Sequence, residues 1–300
     1  MTRPRVLSTA AGSRSKAFGP AEWGLLAAAA VIWGSSFIFI AEGLEVFHPM
    51  VVTWVRVTLG ALALSLVPRS REPIDRADWP TVLLLGFIWM ALPMALFSIA
   101  QQWIESALAG MINGGVPLFS AVIAAILLRR MPRGIQVTGL IIGFTGVVLI
   151  AWPSLGEGGS TLLGAALIVT AVACYGLAVN LAVPLQQKYG ALVPINRAQW
   201  AAVAMLTPFG IAGLPSSGWQ LSSGLAMLSL GVLSTGLAFV AMATLVGRAG
   251  ATRGAIAIYF VPIFAIIAGV VFRDDSVAIV SLSGIGLVLA GAWLSSRREA

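Results

Sequence analysis

The chain has 300 residues, of which 59% are hydrophobic and only 10% charged, with a formal charge of +7 at pH 7. A soluble domain carries about 25% charged residues, so this composition excludes one and points to a bilayer, where each spanning helix needs about 20 mostly apolar residues. The cations stand in short clusters between apolar runs and form no basic face interleaved with aromatics, which excludes nucleic acid as a partner.

In chain order, residues 1–21 read as a disordered cytoplasmic tail, basic and Ser/Gly-rich, with Arg3, Arg5, Arg14 and Lys16. The apolar run that follows is too long for a signal-peptide core and lacks a good cleavage site, so it is the first span. Ten spans are predicted, near 23–41, 50–67, 80–101, 107–128, 134–152, 161–183, 193–214, 223–247, 252–272 and 276–295. The links between them are short and rich in breakers or charges. On the N-terminal side of the membrane lie Arg3, Arg5, Arg14, Lys16, Arg69, Arg71, Arg76, Arg129, Arg130, Arg133, Lys188, Arg248, Arg253, Arg297 and Arg298; the other side has Arg273 alone. Lys and Arg beside spans stay cytoplasmic, so both termini are expected in the cytoplasm of a multi-pass inner (plasma) membrane protein. Trp23, Trp79, Trp103, Trp152 and Trp293 fall near span ends, where an interfacial belt puts them.

Landmarks of the first half return 145 residues later: Pro49 as Pro194, Gly86 as Gly231, Pro117 as Pro262, Gly139 as Gly284 and Gly146 as Gly291. A constant spacing over some hundred residues marks an internal duplication. The predicted units are residues 22–152 and 161–296, each of five spans, so the second enters the membrane from the opposite side. The fold class is therefore an all-α integral membrane protein of ten transmembrane helices in two inverted five-helix repeats. Such folds carry a substrate near midplane between the repeats.

Several short stretches add to this order: Trp33-Gly34-Ser35-Ser36-Phe37, Trp54-Val55-Arg56, Ala107 to Pro117 with Phe119, Gly231 to Ala238, and the glycine-spaced spans 5 and 10. Together, from Glu22 to Ser296, they resemble the drug/metabolite transporter superfamily, in its EamA-type ten-helix branch. The resemblance implies an exporter of small metabolites, commonly amino acids or related compounds, with spans 3, 4, 8 and 9, joined by 1 and 6, lining the path. A multidrug or cationic-compound carrier is the alternative within that family. The chain departs from the family where a Gly-Glu pair often follows spans 4 and 9: Arg129-Arg130 and Asp274-Asp275 stand there, so no role of that glutamate carries over.

Polar groups at bilayer depth are costly, which makes each a functional candidate. Asn113 lies in span 4, four residues before Pro117, which withholds a backbone donor from residue 113 and should bend the helix; Pro262 is its repeat partner. Asn113 either lines a midplane site or ties two helices together. Its partner position is Ile258, beside Tyr259, so the halves of the site are chemically unlike. Trp33 with Ser36, and Tyr175 with Asn180, occupy matching places in spans 1 and 6, and Trp89 in span 3 joins the group. Gly34 and Gly176 are expected to pack neighbouring helices closely. Arg56, the one charge well inside a span, could bind a substrate carboxylate, bridge backbone carbonyls, or pair with Glu42 or Glu45. Glu105 is the coupling candidate, although a position at the mouth of span 4 suits an interfacial cap better. His48 reads as a solvated loop residue and Cys174 as a small buried packing residue.

The rival classes are an intramembrane enzyme and a non-transporting scaffold. One histidine is too few for a His-Glu-x-x-His metal site, and no base accompanies the Ser-rich stretches. No catalytic residue, metal or cofactor is expected. The partners are a small-molecule substrate and the lipid bilayer, and the protein is a monomer or weak homodimer.

Overall fold

Proline opens many of the helices, as its fixed φ and missing N–H allow in a first turn. In the computed structural model, which describes residues 19–128, 134–155, 159–249 and 256–295, the elements are as follows. Helix α1 spans Pro20–Leu44 and α2 Pro49–Ser65. A long rod comprises α3 (Trp79–Leu85), a π-helical turn (Gly86–Ala91) and α4 (Leu92–Ala100). Then come α5 (Ser106–Asn113), α6 (Val116–Leu128) and α7 (Ile135–Ala151). The second half begins with α8 (Gly159–Tyr189) and α9 (Leu192–Gly213). A second rod follows: α10 (Leu221–Leu228), a π-helical stretch (Ser229–Leu237) and α11 (Ala238–Ala249). The last two helices are α12 (Ile256–Arg273) and α13 (Ile279–Ser295). No strand occurs among the described residues. The basic residues Arg3, Arg5, Arg14, Lys16, Arg129, Arg130, Arg133, Arg253, Arg297 and Arg298 lie outside them.

Among the described residues, five helical segments are long and apolar enough to cross a membrane: Pro20–Leu44, Arg76–Ala100, Ser106–Leu127, Gly159–Tyr189 and Leu221–Val246. Shorter apolar helices accompany them at Pro49–Ser65, Ile135–Ala151, Ala257–Arg273 and Ile279–Leu294. The outer surface is apolar as well: Ile141, Val148, Phe209, Phe272 and Ile279 are all exposed. In water such a surface would drive aggregation; hydrocarbon chains cover it at no cost.

Small residues set the helix contacts, since lipid removes the usual hydrophobic drive between helices and leaves close packing to hold them. A Cβ on Gly34 would sit 2.5 Å from Phe264 Cβ in α12, and one on Gly176 would sit 2.9 Å from Phe119 Cβ in α6. Phe119 and Phe264 are themselves 145 residues apart. The same offset relates Gly86, which rests on Ala198 and Ala202 of α9, to Gly231, which rests on Leu59 and the Arg56 carbonyl of α2. Helices α7 and α13 meet through Gly146, Gly284 and Gly291, each facing backbone of the other helix.

Three features differ from the sequence expectation. Helix α8 runs on to Tyr189, beyond the predicted end near 183, and stops where Gly190 takes a left-handed φ of 76°. The span-4 helix is broken at Gly114–Gly115, and Pro117 sits in the first turn of α6, so it opens a new helix where a bend in a continuous one was expected. Pro262, by contrast, lies inside continuous α12 and packs its ring against Gly114. The third feature is the pair of π-helical turns, at matching places in the two rods.

Candidate functional site

The second π-helical stretch organises the interior. A shift from i+5 back to i+4 pairing leaves carbonyls short of helical donors, and such turns collect at functional sites. Here Trp33 Nε1 in α1 donates to Ser234 O at 3.1 Å, and Gln199 Nε2 in α9 donates to Thr235 O at 2.6 Å. Thr235 Oγ1 donates to Leu230 O at 2.9 Å, which turns a lone pair toward Arg56. Arg56 Nε then donates to that oxygen at 3.0 Å. Three helices thus converge on two consecutive residues.

Arg56 is 7% exposed, and Nε is the only part of its guanidinium that bonds among the described residues. Neither Nη1 nor Nη2 has a partner there, and no carboxylate reaches it. The expected alternative of pairing with Glu42 or Glu45 fails because Arg273 takes both, at 3.3 and 2.6 Å. The side chain close enough to act on Arg56 electrostatically is Tyr175. Its hydroxyl also makes no hydrogen bond among the described residues. A buried cation with an unused face is expensive, and beyond the Thr235 hydroxyl on Nε the structure offers it a phenol.

Aromatic rings surround this locus. Trp33 meets Phe239 edge-on with centroids 5.6 Å apart, and Trp89 meets the same ring from another side at 6.1 Å. Tyr175 stacks on Phe97 at 6.0 Å, and Phe97 touches Phe37 at 5.6 Å. The candidates therefore sort by whether their polar atoms are engaged. Trp33 is engaged through Ser234, and Ser36 Oγ returns to Trp33 O at 2.6 Å. Asn180 Nδ2 is engaged three times, by Ser120 O, Ser120 Oγ and Gly176 O, and so ties α8 to α6. Asn113 and Trp89 are half-buried, and their side chains make no hydrogen bond among the described residues. Tyr259 is half-buried on α12, four residues after Ala255 and three before Pro262.

Asn113→Ala should therefore leave thermal stability unchanged, because no bond is lost. Asn180→Ala should lower it by about 1 kcal/mol, the net worth of an interhelical hydrogen bond. Thermal unfolding of the two purified variants in detergent checks the contrast.

The remaining charges tie helix ends together. Glu105 is the N-cap residue of α5, but its side chain makes no cap bond; Ser276 Oγ donates to it at 3.1 Å. The cap comes from Asp275, whose carboxylate accepts from Ala107 N at 2.7 Å. Asp274 holds a left-handed φ of 54°, the conformation that glycine adopts most freely. Asp274-Asp275 thus supplies a turn and a helix cap at a place where the resemblance implies Gly-Glu. At the other end, Lys188 Nζ bridges Asp75 at 2.5 Å and Asp78 at 2.8 Å, and Tyr189 donates to Asp78 at 2.6 Å. Arg197 reaches the carbonyls of Arg71 and Glu72. His48 is exposed and caps α2 by accepting from Met50 N. Cys174 is only half-buried.

The hydrogen bond from Lys188, followed by the Tyr189 contact, holds the Asp75 carboxyl below the usual carboxylate range. Its contribution is therefore present above the ordinary carboxylate pKa and is lost as pH falls through the depressed one. Asp75→Asn should flatten the acid side of the stability-versus-pH curve, by a small amount because the pair is exposed.

An apolar groove of about 520 Å³ on the outer face of α6 and α7, lined by Val122, Leu140, Ile141, Phe144, Thr145 and Val148, holds none of these residues.

The chain matches the EamA-like transporter family twice, over residues 23–152 and 162–297. It belongs to that family. This EamA transporter is 23% identical to an uncharacterized transporter of Archaeoglobus fulgidus over 93% of this chain and 99% of that one. It is 25% identical to a probable terminal-alkyne amino-acid exporter of Streptantibioticus cattleyicolor, covering 89% of this chain and 91% of the relative. A probable amino-acid metabolite efflux pump of Escherichia coli is 23% identical, over 88% and 91%. A solved crystal structure superposes with a TM-score of 0.62 at 19% identity, covering 92% of this chain and 96% of that one. The protein is a multi-pass membrane transporter and not an enzyme.

Sequence reasoning missed Thr235, Ser234, Gln199, Phe97 and Phe239. Ser234 and Thr235 lie in the stretch from Gly231 to Ala238 that carries the family resemblance. Gln199, a polar residue inside α9, was visible by the same rule that selected Asn113.

Proposed function

We propose that this EamA protein is an inner-membrane carrier of ten spans that exports small carboxylate-bearing metabolites, amino acids or related compounds, by alternating access. Residues 22–152 and 161–296 are its two inverted repeats. The two family matches support that division, as do the glycine contacts that recur at the 145-residue offset. Both termini face the cytoplasm, supported by the excess of Lys and Arg on one side. The printed names of the Streptantibioticus and Escherichia relatives favour amino-acid-like cargo.

The observation that carries the reading is Arg56. A guanidinium buried in a bundle, anchored by Nε to Thr235 with its Nη edge unengaged, suits a planar carboxylate. Trp33, Trp89, Tyr175, Asn113 and Tyr259 would shape the rest of the site, with Ser36 and Asn180 holding the helices that bear them. Pro117, at the head of α6, and Pro262, in α12, flank the break beside Asn113. A fixed positive charge disfavours the cationic-drug alternative. Among the described residues every carboxylate lies at a helix end or in a loop, and Ser276 holds Glu105 at the surface, which favours facilitative or exchanging transport over proton coupling. The carrier works as a monomer or weak homodimer.

The test is efflux from proteoliposomes loaded with labelled phenylalanine, valine, threonine or a dipeptide, with and without a pH gradient. Saturable efflux indifferent to the gradient is expected. Gradient-dependent flux would move the coupling role to Glu105, and no flux from folded protein would overturn the cargo assignment. Asn113→Ala is expected to reduce the efflux by about ten-fold, the effect of one lost polar contact to a charged substrate.

A further inference from the structure

We infer that the Arg56 site selects cargo with a net charge of −1: a carboxylate at one end, an apolar or aromatic body at the other, and no free ammonium. The inference rests on Arg56 as the substrate contact and narrows the cargo to deaminated or N-acylated relatives of amino acids. Its first ground is the charge balance. Among the described residues every carboxylate lies at a helix end or in a loop, and those closest in sequence to the site are engaged. Glu42 and Glu45 hold Arg273, Glu22 holds Arg248 at 3.6 Å, and Asp275 caps α5. Among the described residues the interior therefore carries one uncompensated positive charge. A monoanion neutralises it on entry; a zwitterion leaves the sum unchanged and brings a second cation into a space without an anion.

The second ground is the balance of donors and acceptors. The unengaged groups are the Nη edge of Arg56, the Trp89 indole N–H, the Tyr175 hydroxyl and the Asn113 amide. All four donate, and only the Tyr175 hydroxyl and the Asn113 amide oxygen can also accept. A carboxylate stripped of water finds several N–H and O–H groups, whereas an ammonium needs acceptors in equal number. The amide oxygens of Gln101 and Gln199 are unpaired but enclosed, with no surface open to a ligand. Ring faces of Trp33, Phe97 and Phe239 suit an apolar body and give an ammonium only weak cation–π compensation.

Four probes sharing one phenyl ring separate the charge states at pH 7: L-phenylalanine (net 0), 3-phenylpropanoate (−1, smaller), N-acetyl-L-phenylalanine (−1, larger) and phenethylamine (+1). Binding to the purified wild-type protein in detergent is measured by isothermal titration, and intact fold by thermal unfolding. Both monoanions are expected to bind about ten-fold or more tighter than phenylalanine, the worth of one charge-assisted hydrogen bond, with no binding of phenethylamine. Arg56→Gln should erase the preference, and Arg56→Lys should keep its direction with a smaller ratio. Phenylalanine binding as tightly as either monoanion overturns the inference while leaving the carrier reading intact. A preference that survives in Arg56→Gln also overturns it. Wild-type protein that is folded, binds none of the four and moves no amino acid in proteoliposomes removes both readings together.

Discussion

Arg56→Gln is expected to reduce substrate efflux by about 10- to 100-fold without lowering the thermal stability of the protein. A hydrogen bond to a charged group is worth about 1.5–3 kcal/mol, and each 1.4 kcal/mol is about ten-fold. Stability should hold, or rise, for two reasons. The buried guanidinium has no ion-pair partner among the described residues, so removing it lifts a desolvation cost with little lost in exchange. Gln can also still donate to Thr235 Oγ1. Arg56→Lys should fall between, because an ammonium keeps the charge but gives up the fork that splits between Thr235 and a carboxylate. The measurement is initial efflux rate beside unfolding temperature for the three proteins. Flux that falls only in step with stability would make Arg56 a structural anchor.

Gly291→Val is expected to cause the largest loss of stability among single substitutions at the glycine contacts. A Cβ there would overlap Gly143 N and Cα and come within 2.5 Å of Gly139 O, all backbone atoms of α7. A flexible side chain could move aside; a helix backbone cannot, so α7 and α13 must separate along their contact. Overpacking of this kind costs about 1–3 kcal/mol even where neighbours relax, and the two β-branched methyls of valine add to it. Gly24→Val is the matched control, since nothing lies within 4 Å of a Cβ at that position. An equal unfolding temperature for both variants would mean that the α7–α13 contact has room for a side chain at Gly291.

The fold was readable where its cause is local. Apolar runs and the breaker- or charge-rich links between them located the helices, because both act through neighbouring residues. Gly34 and Gly176 were expected to pack closely, and they rest on Phe264 and Phe119. The site was half readable. Trp33 stood out by its place beside Gly34, yet the acceptor of its indole N–H, Ser234 O, lies 201 residues away on a π-helical stretch. A one-residue change in helical register leaves no mark in apolar periodicity, so neither the exposed carbonyls nor Thr235 as the anchor of Arg56 could be foreseen. Glu42 and Glu45 were open partners for Arg56 by proximity in sequence; Arg273, at the far end of α12, takes both. Pro117 in a continuous apolar run predicts a kink; the break falls instead at Gly114-Gly115, where two residues without Cβ leave the helix at little steric cost.

The most direct test of a substrate path through this interior is thiol accessibility at position 113. In a Cys174→Ala background, Asn113→Cys is treated in proteoliposomes with a membrane-impermeant thiosulfonate, with and without the compound that gives saturable efflux. Ile141→Cys in the lipid-facing groove serves as the comparison. The expected result is modification at 113, slowed by substrate, and none at 141. A cysteine at 113 that resists the reagent from both sides, or reacts at the same rate with substrate present, would contradict a site at the broken helix.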